Sequence, residues 1–252
     1  MTKEEILNKA MFVVFPMDTH ENNHETKIDV ELLNETKIRF PNNNVYVLPV
    51  AKNDTYRGYG LNEHHFTTNY HLSYVFPLLV KTLGLNFEPT NYVVKEQYVE
   101  YKENTYNLTT ISWNKECKYK ITCPTLNVVA EANDLVYHKE YPCDNYAKTK
   151  YHHLYAFTHC VSKVEHVGMP PNNKKLLLVC DSQMVPTIPL LCNYYSEVFV
   201  LDNRYEWDKV NEFLKDVYFD DVVVELWRDA KYMSAQRRLD EMEKSLINYI
   251  LV

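Results

Sequence analysis

The sequence predicts a three-layer α/β fold in which helices cover both faces of a parallel β-sheet. The chain has 252 residues, of which 46% are hydrophobic, and this is enough to build a large core in a single domain. Its last third alternates strand and helix patterns three times, which is typical of a parallel sheet. The predicted buried strands are short, continuous apolar runs, namely Ala10–Phe15, Val45–Val50, Leu176–Cys180, Val198–Leu201 and Val222–Leu226.

Four further segments predict the helices of the covering layers. Asn69–Leu83 carries apolar residues at helical spacing, and Gly84 is suited to cap its C-terminus. A short apolar helix is expected over Val185–Tyr194 and an amphipathic helix over Trp207–Val217. A long, charged helix with one apolar stripe is expected over the segment 229–250.

The middle of the chain, about residues 85–170, has a different pattern. Tyr, Thr and Val alternate in the patches Tyr92–Val99, Tyr106–Ser112 and Lys118–Thr122, and this pattern predicts β-strands. We therefore expect one domain over residues 1–252, with a partly β insertion between two parts of its core.

Composition argues against several classes of function. The net charge is −7 with no dense Lys/Arg run, so no nucleic-acid partner is expected. Only 4 glycines are present, which argues against a phosphate-binding loop, and no cofactor is expected. No two of the 6 cysteines form a Cys-x-x-Cys pair, so no metal site is predicted from them. Free, buried thiols are the favoured interpretation, with a Cys117–Cys123 bridge as the alternative.

The N-terminal segment does not have the pattern of a signal peptide. A charged start leads into the short apolar run Ala10–Phe15, which is too short to cross a membrane and is followed by Pro16. No other stretch is a transmembrane candidate. For the chain as given, a cytoplasmic location is one expectation, and the alternative is a domain of an exported protein whose export signal is absent.

Tyrosine is abundant, with 21 residues, and this suits a surface that binds sugars. A tyrosine offers an apolar ring for stacking and a hydroxyl for hydrogen bonding. The alternative is compositional drift, since Asn and Lys are also frequent.

A first candidate motif follows the predicted strand Leu176–Cys180. Asp181-Ser182 comes where this strand ends and a helix is expected to begin. Parallel sheets bind ligands at this edge, and N–H groups at a helix start can stabilise an oxyanion formed when a serine attacks a carbonyl. The motif lacks the Gly-x-Ser-x-Gly elbow, and helix capping by Asp181 and Ser182 is the alternative.

A second candidate motif, Asn-Glu-His-His-Phe-Thr over residues 62–67, precedes the helix predicted from Asn69. A serine nucleophile needs a neutral imidazole as base and a carboxylate to orient that imidazole, and His65 and Glu63 supply both. Two alternatives remain open, a metal site that includes His64 and a polar loop with Thr67 or Thr68 as a helix N-cap. The spacing does not match His-Glu-x-x-His.

Together the two motifs resemble the AlgX/AlgJ-like or DHHW group of SGNH hydrolases, which act in alginate acetylation. Glu63-His64-His65-Phe66-Thr67 is similar to the group's Asp-x-His-Trp-Thr, and Cys180-Asp181-Ser182 to its later Gly/Lys-Asp-Ser. Leu201-Asp202-Asn203-Arg204-Tyr205 and the strand from Asp220 to Glu225 continue the resemblance. It covers about residues 44–84 and 174–229. This sequence has Glu63 in place of Asp, Phe66 in place of Trp, and Cys180 before Asp181.

The resemblance implies a circularly permuted SGNH-hydrolase-like (flavodoxin-like) sheet. It also implies O-acetyl transfer to, or removal from, a polysaccharide, with Ser182 as nucleophile, His65 as base and Glu63 as the orienting carboxylate. A second register would use His64 with Asn62.

The mechanism expected from this resemblance is a two-step acyl transfer through an acetyl-serine, with oxyanion stabilisation by N–H groups around Ser182 and Gln183. Arg228 and Tyr59 are candidate substrate contacts, and further candidates in the insertion are Tyr92, Tyr98 and Tyr101.

Three functions are consistent with these motifs. They are a polysaccharide O-acetyltransferase, an esterase or deacetylase with the same site, and a non-catalytic glycan-binding module. The partners would be a glycan acceptor and an acetyl donor, the latter including a membrane acyltransferase.

Overall fold

We analysed a computed structural model of the chain. It describes residues 1–18, 26–50, 70–85, 92–101, 104–113, 119–123, 128–131, 161–166, 172–181, 183–184, 187–202, 214, 216–228 and 233–248. In chain order the strands are β1 (Ala10–Val14), β2 (Met17–Asp18), β3 (Thr26–Lys27), β4 (Val45–Val47), β5 (Tyr92–Tyr101), β6 (Asn104–Trp113), β7 (Tyr119–Cys123), β8 (Val128–Glu131), β9 (Val161–His166), β10 (Lys175–Cys180), β11 (Glu197–Asp202) and β12 (Asp221–Leu226).

The helices lie between these strands. They are α1 (Lys3–Lys9), α2 (Val30–Arg39), α3 (Phe76–Thr82), α4 (Ile188–Leu191) and α5 (Ala235–Asn248), and a π-helical turn (His71–Val75) leads directly into α3. The first helix begins at a complete capping box, in which Thr2 accepts from the backbone of Glu5 and Glu5 accepts in return from Thr2. None of the helices in these ranges is long and apolar enough to cross a membrane.

The main sheet has the order expected of a circularly permuted flavodoxin-like fold. In the described residues it has eight strands, in the order β4-β1-β12-β10-β11-β9-β7-β8. The first five of these are parallel. Numbered from β10 with the two chain ends treated as joined, these five strands have the order 5-4-3-1-2. Reversed, this is the flavodoxin-like order 2-1-3-4-5, so the predicted permutation is confirmed.

Strands from the middle of the chain extend this sheet. β9 pairs antiparallel with β11, and β7 and β8 follow it, also antiparallel. β5 and β6 form a separate antiparallel hairpin. All three patches predicted as β in this region are strands.

Both faces of the sheet are buried, which confirms the three-layer class. Along β1, Met11 and Val13 belong to one core cluster, and Phe12 and Val14 to the other. The first cluster is covered by α3 and α4 and the second by α1, α2 and α5. Each fully buried Val, Leu or Phe contributes about 1.5–3 kcal/mol relative to exposure, so the two clusters are the main source of stability.

Three of the four predicted helices are confirmed in place, with different lengths. The helix predicted from Asn69 is described from Tyr70 onward, and Gly84 has a φ of +63°. The N–H of Leu85 donates to Val80 O at 2.9 Å, as in a Schellman motif. The helix predicted over 185–194 is shorter, because α4 has only four residues. The long helix is α5, and most of the one predicted over 207–217 lies outside the described residues.

Candidate active site

The candidate site lies at the carboxyl edge of the parallel strands, beside β10. When the sheet is read from β10, the strand order changes direction between β10 and β12, which are direct neighbours. Open α/β sheets bind their ligands outside the strand ends at such a switch point. Asp181 follows β10 at this edge, as the sequence predicts, and Ser182 is the next residue in the chain.

The turn after β10 is held by buried polar contacts on both sides of Ser182. The N–H of Asp181 donates to Glu225 Oε2 at 3.0 Å, and the N–H of Gln183 donates to Asp181 Oδ1 at 2.8 Å. The second contact has the form of an Asx-turn. Asp181 and Gln183 are 5% and 1% exposed. Ser182 itself lies outside the described residues.

These contacts differ from the helix start expected at Ser182. The four-residue α4 begins at Ile188, and Thr187, which precedes it, makes no side-chain cap. Asp181 therefore organises a turn, and it does not cap α4. The N–H of Gln183, predicted to stabilise the oxyanion, donates to Asp181 in this structure, and its role toward substrate stays a prediction.

A buried cluster of ionisable groups contacts Asp181 in this turn. Glu225 ends the apolar run of β12 and is fully buried, and Arg238 of α5 lies 3.6 Å from Asp181 Oδ2. Burial and the Asp181 carboxylate raise the pKa of Glu225 well above its usual value, and Arg238 opposes this shift. With Glu225 protonated, one negative and one positive charge remain in the cluster. This balance lowers the cost of burying it.

Two contacts hold the start of the helix after β4, one to the residues just after β4 and one to the chain that follows Ser182. Tyr70 donates its hydroxyl hydrogen to Pro49 O at 2.9 Å, and His71 Nδ1 lies 2.8 Å from Thr187 Oγ1. His71 and Thr187 are fully buried, and the ring of His71 packs near that of Phe15. His71 belongs to the π-helical turn, a feature that often occurs at functional sites.

Arg228 follows β12 and forms a buried ion-pair cluster. Its guanidinium donates to both carboxylate oxygens of Asp29, at 2.6 and 2.8 Å, and also to Glu31 and to Met233 O. Burial lowers the pKa of Arg228, while the two carboxylates raise it, and the net shift is upward. The side chain is 5% exposed, so these contacts are buried. Substrate contact by Arg228 stays a prediction.

The other predicted site residues lie outside the part of the chain that the structure describes. Glu63, His65 and Tyr59 fall in the segment 51–69, which is outside the described residues, as are the alternative groups His64 and Asn62. No cluster of metal-ligating side chains occurs in the described parts of the chain. Cys180 and Cys192 are free and buried, as predicted for the thiols.

The sequence analysis missed four residues of this edge, Glu225, Arg238, His71 and Thr187. One signal was present: Glu225 is a carboxylate in the otherwise apolar run Val222–Leu226, and a buried charge requires a partner. The His71 signal was weaker, since a histidine in a helical stripe is more often a core residue.

Comparison with known proteins shows a class of fold. No family model matches the chain, and no curated protein does. Solved structures do match along nearly the whole chain, at identities that show a shared fold. The resemblance to the DHHW group is thus confirmed at the level of the fold.

The matches include a DHHW family protein and two structures of PatB1. A DHHW family protein from Eubacterium siraeum aligns with a TM-score of 0.59 at 15% identity, over 99% of this chain and 86% of that one. Bacillus cereus PatB1 with a sulfonyl adduct also aligns with a TM-score of 0.59 at 15% identity, over 95% and 87%. A second PatB1 structure gives 0.54 at 14% identity, over 91% and 85%.

Proposed function

We propose that the chain is a serine-dependent acyltransferase that moves acetyl groups to hydroxyls of a bacterial polysaccharide or its precursor. The observation that carries this proposal is the turn from Asp181 to Gln183, held by buried contacts at the switch point of a permuted sheet. A nucleophile at this place would be fixed at the edge where such sheets bind ligands.

The described contacts are compatible with a partner for Ser182 from the segment 51–69. β4 ends at the same edge as β10, and the His71–Thr187 contact lies five residues after Ser182 and six residues after His65. A chain of six residues spans at most about 20 Å. This length is compatible with the proposed contact between His65 and Ser182.

The proposed chemistry has two steps. Ser182 Oγ attacks the carbonyl carbon of an acetyl ester while His65 takes its proton, and Glu63 orients the imidazole and stabilises its cation. Collapse of the tetrahedral intermediate breaks the bond to the donor oxygen, which takes the proton from His65. A sugar hydroxyl then attacks the acetyl-serine, with His65 again accepting and returning a proton, and the ester passes to the sugar.

The structural neighbours support this chemistry without assigning it. PatB1 carries a sulfonyl adduct, and sulfonyl reagents react with activated nucleophiles such as a catalytic serine. The acetyl donor in the proposal is an ester, supplied with or without a membrane acyltransferase partner. If water replaces the sugar hydroxyl, the same site is an esterase or deacetylase.

The first experiment compares p-nitrophenyl acetate turnover by the wild type with that of Ser182→Ala and His65→Ala. Loss of either group is expected to lower kcat by at least about 10³-fold, because nucleophile and base act as a unit. Matched controls are Ser196→Ala, at the opposite edge of the sheet, and His64→Ala, which also tests the second register.

Two further results decide between the functions. Intact-mass detection of an acetyl group on an added oligosaccharide would show transfer, whereas release of acetate alone would show an esterase. If the wild type and both variants are equally inert or equally active while folded, the catalytic assignment is wrong. Glycan affinity would then be measured to test the binding-module function.

A further inference from the structure

Glu225 has no role in the chemistry just proposed, although it is fully buried beside the turn of the candidate nucleophile. Its Oε2 accepts the N–H of Asp181 at 3.0 Å, which is the last hydrogen bond between β12 and the chain before Ser182. An acidic side chain in this position is costly to bury, and an apolar residue would continue the strand at lower cost. Stability alone therefore does not account for it.

The contacts form a continuous connection around Ser182. Glu225 fixes the backbone of Asp181, and Asp181 Oδ1 in turn fixes the backbone of Gln183. Arg238 of α5 holds the other carboxylate oxygen of Asp181 as an ion pair at 3.6 Å. The residues on both sides of Ser182 are thus connected to β12 and α5 by buried side chains.

We propose that Glu225 is a positioning residue that fixes the backbone on both sides of Ser182 and so sets the direction of its hydroxyl. This inference rests on the function proposed above, because Glu225 supports the serine that acts as nucleophile in that function. A displacement of about 1 Å in a reacting group costs about 10²-fold in rate, so loss of this support should act on the chemical step.

The test uses two substitutions and a control in the same strand. Glu225→Ala removes the acceptor for the Asp181 N–H, whereas Glu225→Gln keeps both the size and an oxygen acceptor. Val223→Ala makes a cavity in the same strand away from the turn, so it lowers stability without removing the contact. Each variant is treated with phenylmethylsulfonyl fluoride, and modification of Ser182 is followed by mass spectrometry.

We expect Glu225→Ala to be modified at Ser182 at least about 10-fold more slowly than the wild type and to show a lower kcat with an unchanged KM for p-nitrophenyl acetate. Glu225→Gln and Val223→Ala should stay within about threefold of the wild type. Hydrogen exchange of a peptide covering residues 180–184 should be faster in Glu225→Ala than in Val223→Ala. Wild-type modification rates in Glu225→Ala, or a loss in Glu225→Gln as large as in Glu225→Ala, would overturn the inference.

The two proposals fail in different ways. If the wild type is not modified at Ser182 and turns over no ester, the proposed function is wrong, and a catalytic role for the turn is lost with it. The exchange measurement does not depend on activity. Unchanged exchange in Glu225→Ala would show that Glu225 does not hold the turn, whatever the reaction is.

Discussion

The buried carboxyl of Glu225 links the stability of the fold to pH. Its pKa is raised well above the usual value of 4.5, so the folded state keeps a proton that the unfolded state has lost. Stability therefore decreases as pH rises from about 4.5 to the raised pKa, by at most about 1.4 kcal/mol per pH unit. The ionisable groups against Glu225 in the described structure are Asp181 and Arg238.

Urea unfolding of the wild type and Glu225→Gln between pH 4.5 and 8 tests this linkage. Glutamine has no proton to lose, so the unfolding free energy of the variant relative to the wild type should increase with pH. Other titrating groups are common to both proteins and cancel in the difference. Two curves that run parallel over this range would contradict the raised pKa of Glu225.

At the scale of single residues, the sequence predicts what lies next in the chain better than what lies across the sheet. Asp181 was placed correctly at the end of a buried strand, because apolar runs mark strand ends. Its partner Glu225 is 44 residues away and meets it only through the pairing of β10 with β12. A single sequence contains no signal for that pairing. The roles of Ser182 and His65 stay predictions.

At the scale of elements, Arg228 joins the end of β12 to the starts of two helices. It pairs with Asp29, the N-cap of α2, and donates to Met233 O just before α5. Arg228→Ala should lower the free energy of unfolding by about 3–5 kcal/mol, because it leaves the carboxylate of Asp29 buried without this partner.

The matched control for this prediction is Arg237→Ala. Arg237 makes an exposed ion pair with Glu241 within α5, and such pairs contribute less than about 0.5 kcal/mol. Both losses are measured by urea unfolding in the same buffer. Losses of similar size in the two variants would mean that burial adds nothing to the Arg228 pair.

A comparison of the predicted and observed strands and helices shows which elements a sequence pattern can predict. All five predicted strands are present. β1 and β10 are buried apolar runs, as expected of strands covered on both faces, whereas the residues of the edge strand β4 are only partly buried. Within the described residues, the helix expected over 185–194 shortens to α4, and the contacts of Asp181 and Gln183 form a turn that precedes it. Local polar contacts of this kind compete with a helix start, and apolar spacing alone does not detect them.

At the scale of the whole molecule, strand order is independent of where the chain is opened. A permutant that begins at Asn172 and joins Val252 to Met1 by a flexible Gly/Ser linker would run from β10 through β12 into β1 and β4. It is expected to fold with an unfolding free energy within about 2 kcal/mol of the parent, since closing a flexible loop depends weakly on its length. Asn172 is exposed and precedes β10, and such sites tolerate new ends.

A second permutant, opened between Leu178 and Val179, is the control for this prediction. These residues are fully buried in the centre of β10, so new charged ends there would disrupt both core clusters. Circular dichroism, urea unfolding and p-nitrophenyl acetate turnover would be compared for both permutants and the parent. If the permutant that begins at Asn172 fails to fold as completely as the control, the fold depends on the connection between β9 and β10, and not on the sheet order alone. Folding with unchanged turnover would show that the order of strands around β10 is sufficient to assemble the site.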